Sequence, residues 1–583
     1  MADRVIPPGV DASDFSSYKI LVGGSDIGGL YGLLSIFISK SVNKIASAQI
    51  ILADGDVAAE TFEVSSESLF LPGAEVEIQL GYNNSEDTIF KGIIVKHGIK
   101  TKPDRTSMLI LELKDAAVKM TIGRKNKYFE EVTDSDVIEE IAGTYGLDVE
   151  VEATEVTHPK MVQYFVSDWD FILSRAEMNG QLVYTDDGKL ITKKPEITDS
   201  PVELAYGHNV IEFEADMDAR DQYAASLSKA WDYTGQEVLE EEGTDPGLDD
   251  HGNVSAAELS DVVGLENLLQ QHTGKIADQE LKTWADAKLI RSRLAKIKGS
   301  VKTIGFKDLK PGDTVEFAGF GDRFNGKAFI SAVYHSLSAE TSWYTTIQFG
   351  LDQEWFYKKF SDISDAPASG LVPPINGLHT GIVTNIHEDP DGEFRVQVRV
   401  PIIDPEDAGV WARVATLDAG ENRGFFWRPE VDDEVVIGFL NDDPREPIVL
   451  GTMHSSGKPS PIEPSEENNE KGIVTRSEMK LMFDDDLVST TLETPAGNKL
   501  LMSEDEGGIT IEDENGNKIQ MSADGIVIES AADMTLKASG DITVEGTNLT
   551  NSASAQYAAE GSSGAEVTSG GQVVIEGALV AIN

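Results

Sequence analysis

Residues 500–544 read LLMSEDEGGITIEDENGNKIQMSADGIVIESAADMTLKASGDITV, and their apolar side chains come in pairs with one residue between. The pairs are Leu500/Met502, Ile509/Ile511, Ile519/Met521, Ile526/Ile528, Met534/Leu536 and Ile542/Val544, and Val573/Ile575 continues the series. Two apolar residues at i and i+2 stand on one face of an extended strand. Gly516, Gly525 and Gly540 fall between pairs, so the stretch predicts short strands joined by tight turns in the manner of a β-solenoid. A single chain of such narrow strands leaves its edges open and cannot enclose its inward side chains. Intertwining with identical copies meets both needs, and a trimeric needle is expected over 484–583. Its core positions are Ile509, Ile511, Ile519, Met521, Ile526, Ile528, Met534, Leu536, Ile542 and Val544.

Upstream of the needle the chemistry changes. A polar Pro/Ser/Glu segment makes 456–483 a connector, and 377–455 has the size of a small β-barrel. There Phe394, Val396, Val398 and Val400 alternate with Arg395, Gln397 and Arg399, the period of a half-buried strand. The Pro/Ser/Gly-rich 366–376 is a linker, and 1–365 forms the largest region. Within it, 18–113 is strand-like, and the short apolar run 33–38 reads as a buried strand. Thr133 with Asp136 resembles a capping box opening a helix that Gly146 stops, and Ser167 opens a second helix ahead of Gly180. The acidic stretch 235–250, which includes Asp249 and Asp250, reads as a surface loop. The stretch 256–298 reads as helix broken near Thr273 and Gly274, with β pattern resuming to Phe349. The fold class is therefore mainly β with some helix.

The chain has 583 residues, 48 Lys+Arg against 101 Asp+Glu, a formal charge of −53 and no cysteine. That charge repels phosphate backbones, so nucleic acid is not an expected partner. The absence of cysteine excludes disulfides, thiolate zinc sites and a cysteine nucleophile. Residues 1–30 lack the basic start and long apolar run of a secretory signal, so synthesis in the cytoplasm and export by a machine are expected.

The barrel region carries Gly381-Ile382-Val383, Asp389-Pro390-Asp391-Gly392, Arg399-Val400-Pro401, Trp411-Ala412-Arg413-Val414 and Pro447-Ile448-Val449-Leu450-Gly451. Upstream stand Val166 to Phe171 with Gly180, Leu309 to Asp313, Phe324-Asn325-Gly326 and Tyr334-His335. In this order the series resembles the VgrG-like hub and spike proteins of type VI secretion and contractile phage tails, and its proportions resemble those of extracellular injection particles. The resemblance implies two phage-hub-like β-barrels with helical insertions in 1–365, an OB-fold neck and an intertwined trimeric β-helix needle. It implies a homotrimer that docks on the inner-tube hexamer ring and baseplate proteins, carries a PAAR-like tip protein or a cargo effector, and pierces a target envelope. Such a protein is made in the cytoplasm, assembled into an injection particle, and acts outside the cell or in the target on firing.

No enzymatic activity, cofactor or metal is expected. His379 and His387, the nearest histidine pair, lack zinc spacing. The acidic runs 484–486 and 504–506 match no EF-hand loop and read as solvated surface. The Gly-rich stretch 23–29 lacks a phosphate-loop ending and reads as a bend in a hub strand. Trp411, Trp427 and the pair Phe425/Phe426 read as core or subunit contacts rather than a sugar platform. The apolar run Ala578, Leu579, Val580, Ala581, Ile582 with Asn583 is uncharged on an acidic rod, which marks it as a surface to be covered, and the resemblance implies that a tip protein docks there. A cell-wall hydrolase spike and a receptor-binding fibre are the competing readings.

Overall fold

The structure is a computed structural model that describes residues 7, 9, 15–104, 106–200, 202–248 and 251–582. The chain divides into two compact units, Met1–Gly377 with Phe439–Glu446, and Leu378–Gly438 with Pro447–Asn583.

In the first unit, β-branched runs alternate with polar residues and form the expected strands Ser16–Val22, Leu33–Ser41, Ser47–Ala53, Glu75–Tyr82, Ser85–Thr101 and Ser107–Lys114. Their registers set Ile36 opposite Ile50 and Ile50 opposite Leu111, and these side chains close a core around Phe70 and Phe90. Gly23 and Gly24, at φ +55° and +81°, make the turn between Ser16–Val22 and Ser25–Asp26, a conformation that side-chain-bearing residues resist. The glycine-rich stretch is thus a strand bend.

A second core belongs to Ile297–Ile304, Thr314–Ala318, Gly326–Ser338 and Tyr344–Phe349, where Phe317 and Phe349 pack 4.7 Å apart between ring centroids. The two cores stay separate, yet their strands run into one 13-stranded sheet. The join is Gly326–Ser338 against Leu33–Ser41, with Tyr334 opposite Ser39 and Ser338 opposite Ser35.

Helix Asp134–Gly143 starts on a complete Thr133/Asp136 capping box. Helix Asp168–Met178 starts where the Ser167 hydroxyl accepts the Asp170 N–H, and Gly180 follows it at φ +69°. Two expectations are corrected nearby. Part of the acidic 235–250 is a strand, Glu237–Glu242, and part of the expected helix 256–298 is a strand, Asn267–His272. Both flank Ala225–Asp232, the first antiparallel and the second parallel, and helix Asp278–Leu294 packs on this small sheet. The order comes from pairing with a buried central strand, which local composition does not report. Asp249 and Asp250 lie outside the described residues.

In the second unit, five strands close a barrel: His379–Asn385, Val396–Arg399, Val410–Val414, Pro447–Thr452 and Glu434–Phe439. Val383, Val396, Val398, Ala412, Val435, Ile437 and Val449 fill it. Phe394 departs from the expected alternation: it stands at φ +58° and is 81% exposed. The Asp389 carboxylate explains this by accepting the N–H groups of Glu393 (2.9 Å) and Arg395 (3.1 Å), which turns the chain before the strand begins.

Candidate functional site

Seven strands form one sheet across the stretches expected as connector and needle: Glu470–Val474, Lys480–Asp484, Ser489–Glu493, Lys499–Ser503, Gly508–Glu512, Lys518–Ser522 and Gly525–Glu529. They pair antiparallel in strict sequence order, so within one chain the expected solenoid is a meander. Two of its strands lie in the stretch read as connector.

The registers align the apolar residues into two rows on one face. Leu481, Leu492, Leu500, Ile511, Ile519 and Ile528 stand opposite one another in turn across the sheet. Phe483, Thr490, Met502, Ile509, Met521 and Ile526 form the parallel row. The other face carries an alternating row of Lys480, Glu493, Lys499, Glu512, Lys518 and Glu529. Opposite charges on facing strands favour this register over its neighbours. Leu501 and Ser503 on that charged face are buried, whereas the apolar rows stay open. Ile511 is 41% exposed and Ile528 56%. Covering each of these side chains contributes about 1 kcal/mol, since full burial of such a residue is worth roughly twice that.

The turns on one side of the sheet repeat one design. In 475–479, 494–498 and 513–517 the first side chain accepts the fifth N–H: Thr475 from Met479 (3.2 Å), Thr494 from Asn498 (3.2 Å) and Asp513 from Asn517 (2.8 Å). The fourth residue is left-handed in each, Glu478 at φ +63°, Gly497 at +95° and Gly516 at +86°. On the opposite side, Asp484 accepts the N–H groups of Asp486 (2.9 Å) and Leu487 (3.0 Å), and Asp485 pairs with Lys471. The acidic run 484–486 is thus turn chemistry.

Among the described residues, 530–582 form no strand. Met534, Leu536, Ile542 and Val544 are all more than half exposed there. The apolar run is open as well, with Leu579 and Ile582 almost fully exposed and Ala578, Val580 and Ala581 exposed. Asn583 lies outside the described residues. On the barrel, Phe426 and Trp427 are exposed and Phe425 stacks on Trp427 at 6.1 Å. The core reading of these three is corrected. They face outward, where the subunit-contact reading remains, and Trp411 is half-buried.

Several buried charges in the first unit are tied into structural pairs. Asp134 accepts from Arg175 Nε (2.6 Å) and Asn179 Nδ2 (2.8 Å), and His158 Nε2 lies 3.3 Å away. Glu177 pairs with Arg291, and Lys40 bridges Asp186 (2.6 Å) and Asp187 (3.1 Å). Burial pushes His335 down to about 3 and His251 to about 4, so both stay neutral. Among the described residues no three His, Asp or Glu side chains gather as a metal cage. No helix among them is long and apolar enough to cross a membrane. His387 Nδ1 lies 2.6 Å from Asn385 Oδ1, and His379 opens the first barrel strand.

Three family models match the chain: the Alg8 N-terminal domain over 12–339, the type VI secretion system/phage-baseplate injector OB domain over 379–454, and the phage baseplate V C-terminal trimerisation domain over 489–583. The first spans more than half of the sequence. Among curated proteins, the type VI secretion system spike protein VgrG1a of Pseudomonas aeruginosa is 29% identical over 113 residues, 18% of each chain. VgrG4b of the same organism is 36% identical over 107 residues, 17% of this chain and 13% of that protein. The chain thus aligns with less than a fifth of the length of these relatives. Among solved structures, a tail protein of prophage MuSo2 from Shewanella oneidensis has a TM-score of 0.45 at 12% identity, covering 58% of this chain and 98% of its own. A type VI secretion component of E. coli has a TM-score of 0.35 at 15% identity, covering 75% of this chain and 100% of its own. Residues 12–339 place the chain in the Alg8 N-terminal domain family, and the barrel and C-terminal regions carry the injector OB and trimerisation domains of type VI secretion and phage-baseplate proteins, which makes the chain VgrG-like.

Proposed function

We propose that this protein is the trimeric central spike of a contractile injection machine, assembled into an extracellular particle, and that it works through shape and interfaces rather than catalysis. The observation that carries the reading is the double apolar row from Leu481 to Ile528, held open on a sheet whose other face is charged. Three such faces turned toward one axis would form a dry needle core extended by Met534, Leu536, Ile542 and Val544. The hub, residues 1–365, would dock on the inner-tube ring and baseplate, and its two β cores in one sheet support a pair of similar faces per subunit. The barrel over 377–455 would form the neck, with Phe425, Phe426 and Trp427 available as subunit contacts. The exposed run 578–582 supports a seat for a small PAAR-like tip protein, and a cargo effector would travel with the same trimer into the target envelope.

The test is Ile528→Asp. A carboxylate on the inward row would be buried three times over at one level of the needle, at a cost of several kcal/mol per copy. The wild type is expected to sediment as a trimer and the variant as monomer or aggregate. A fully stable Ile528→Asp trimer would place the apolar face outside the core and sink the reading.

A further inference from the structure

The acidic stretch that folds as Glu237–Glu242 is an outer strand of the small three-stranded sheet in the first unit, and no strand lies on its far side among the described residues. Its register fixes what that edge offers. Leu227 stands opposite Glu242, Lys229 opposite Glu240 and Trp231 opposite Val238, and the Gly243 N–H donates to the Ser226 carbonyl at 2.8 Å. Bonded and non-bonded positions alternate along an antiparallel pair, so Glu237, Leu239 and Glu241 turn their backbone groups toward Ala225–Asp232. Val238, Glu240 and Glu242 turn theirs to the open edge.

The same three residues share a face of the sheet. Ser226, Ser228 and Ala230 are buried on the side where helix Asp278–Leu294 packs. On the opposite side Trp231 is 42% exposed, Val238 54% and Leu269 47%. An apolar cross-strand pair, Trp231 with Val238, thus opens a row that continues with Glu240 and Glu242 at every second position. Charges on an edge strand guard against pairing with like copies. That duty does not account for a tryptophan and a valine left open beside them.

The row selects its partner by charge. A strand with Lys or Arg at alternate positions and an apolar residue two further on gains backbone bonds, two opposite-charge pairs and contact with Trp231. A second copy of the chain, at −53, brings like charge to this edge, and so does a nucleic acid.

We propose that Glu237–Glu242 takes up an extended basic segment of another protein as an antiparallel fourth strand. Two of its cations face Glu240 and Glu242, and its apolar side chain covers Val238 and Trp231. The inference concerns the first unit alone and stands apart from the spike reading.

The test uses the blocked peptide Thr-Lys-Thr-Lys-Thr-Val-Thr, titrated into the full-length protein. It is expected to bind and to slow hydrogen exchange over 237–242, read by mass spectrometry, more than over any other acidic segment. Methylating its Lys and Val amides, which face the edge, is expected to abolish binding. Methylating the Thr amides between them, which face away, is expected to preserve it at the same charge. No binding by the parent peptide, equal binding by the two methylated forms, or protection centred on another segment would overturn the proposal, since attraction to an acidic chain alone gives the last two. Glu240→Gln with Glu242→Gln should weaken binding about tenfold, the worth of two exposed ion pairs, and unchanged affinity would also overturn it. Should that variant misfold, the methylated peptides on the wild type decide by themselves. Protection of 237–242 in the free protein that is lost on dilution would assign the edge to a second copy and sink the proposal.

Discussion

Asp134 is buried at the first turn of its helix, where a carboxylate meets the helix dipole as well as Arg175, Asn179 and His158. Burial alone would raise its pKa, but the hydrogen bonds from His158 and Arg175 outweigh it and hold the group at about 2, below its ordinary 3.8. A depressed carboxylate stabilises the fold above its unfolded pKa and loses that contribution as pH falls through its folded value. At 1.36 kcal/mol per pH unit the contribution is about 2 kcal/mol, complete above pH ~4 and lost toward pH ~2. His335 acts in the same direction at higher pH: buried and neutral at about 3, it favours the unfolded chain progressively as pH drops below the unfolded value of 6.5. Hub stability is thus expected to decline first below pH 6.5 and more steeply below pH 4. Asp134→Asn leaves Arg175 with only the longer Glu280 contact at 3.7 Å and should cost about 3 kcal/mol at pH 7, with the gap to wild type narrowing between pH 4 and pH 2. Thermal melts across that range check both statements. The capping box at Thr133 was legible in sequence, because its partners are three residues apart. The Asp134–Arg175 pair was not, because it joins two helices.

Among the elements, the five-residue turns govern the needle's regularity. Gly497 stands at φ +95° with open space where a Cβ would go, so a substitution there tests backbone conformation alone. Gly497→Val should cost about 2 kcal/mol per copy, as a β-branched residue is an outlier in the left-handed region. Gly497→Asn should cost far less, since Asn tolerates that region and Glu478 already adopts it in the first turn. Guanidinium midpoints of the assembled needle distinguish the two, and equal losses would contradict the account. Strand existence between Leu500 and Ile528 was readable from period-two pairs, whereas Met534/Leu536, Ile542/Val544 and Val573/Ile575 form no strand among the described residues. The strands Glu237–Glu242 and Asn267–His272 were not, because acidic and amide-rich segments become strands only when a buried neighbour offers its edge.

For the molecule as a whole, the charge of −53 surrounds a few uncharged, apolar surfaces: the needle rows, the barrel aromatics and the run 578–582. Large open apolar patches on an acidic protein are where partners cover it. Deleting 578–583 removes one such patch without touching the meander or the barrel. The truncated protein is expected to remain trimeric by sedimentation and to lose co-purification with a PAAR-like tip protein. Undiminished tip binding would move the seat elsewhere.

Periodicity, caps and turns are short-range properties, and from them the sequence alone determined the barrel strand at Val396 to Val400, both capped helices and the paired rhythm of the needle. Pairing partners and edges are long-range, and only the tertiary structure decided them. It turned Phe394 outward through Asp389, joined the two hub cores in one sheet, and ordered the needle strands as a meander. It also ended that meander at Ser530, although the apolar pairs in the sequence run on unchanged through Val544. The physical reason is that a side chain's period fixes which face it takes, whereas the backbone hydrogen bonds of a strand are satisfied by whichever edge the rest of the fold brings alongside.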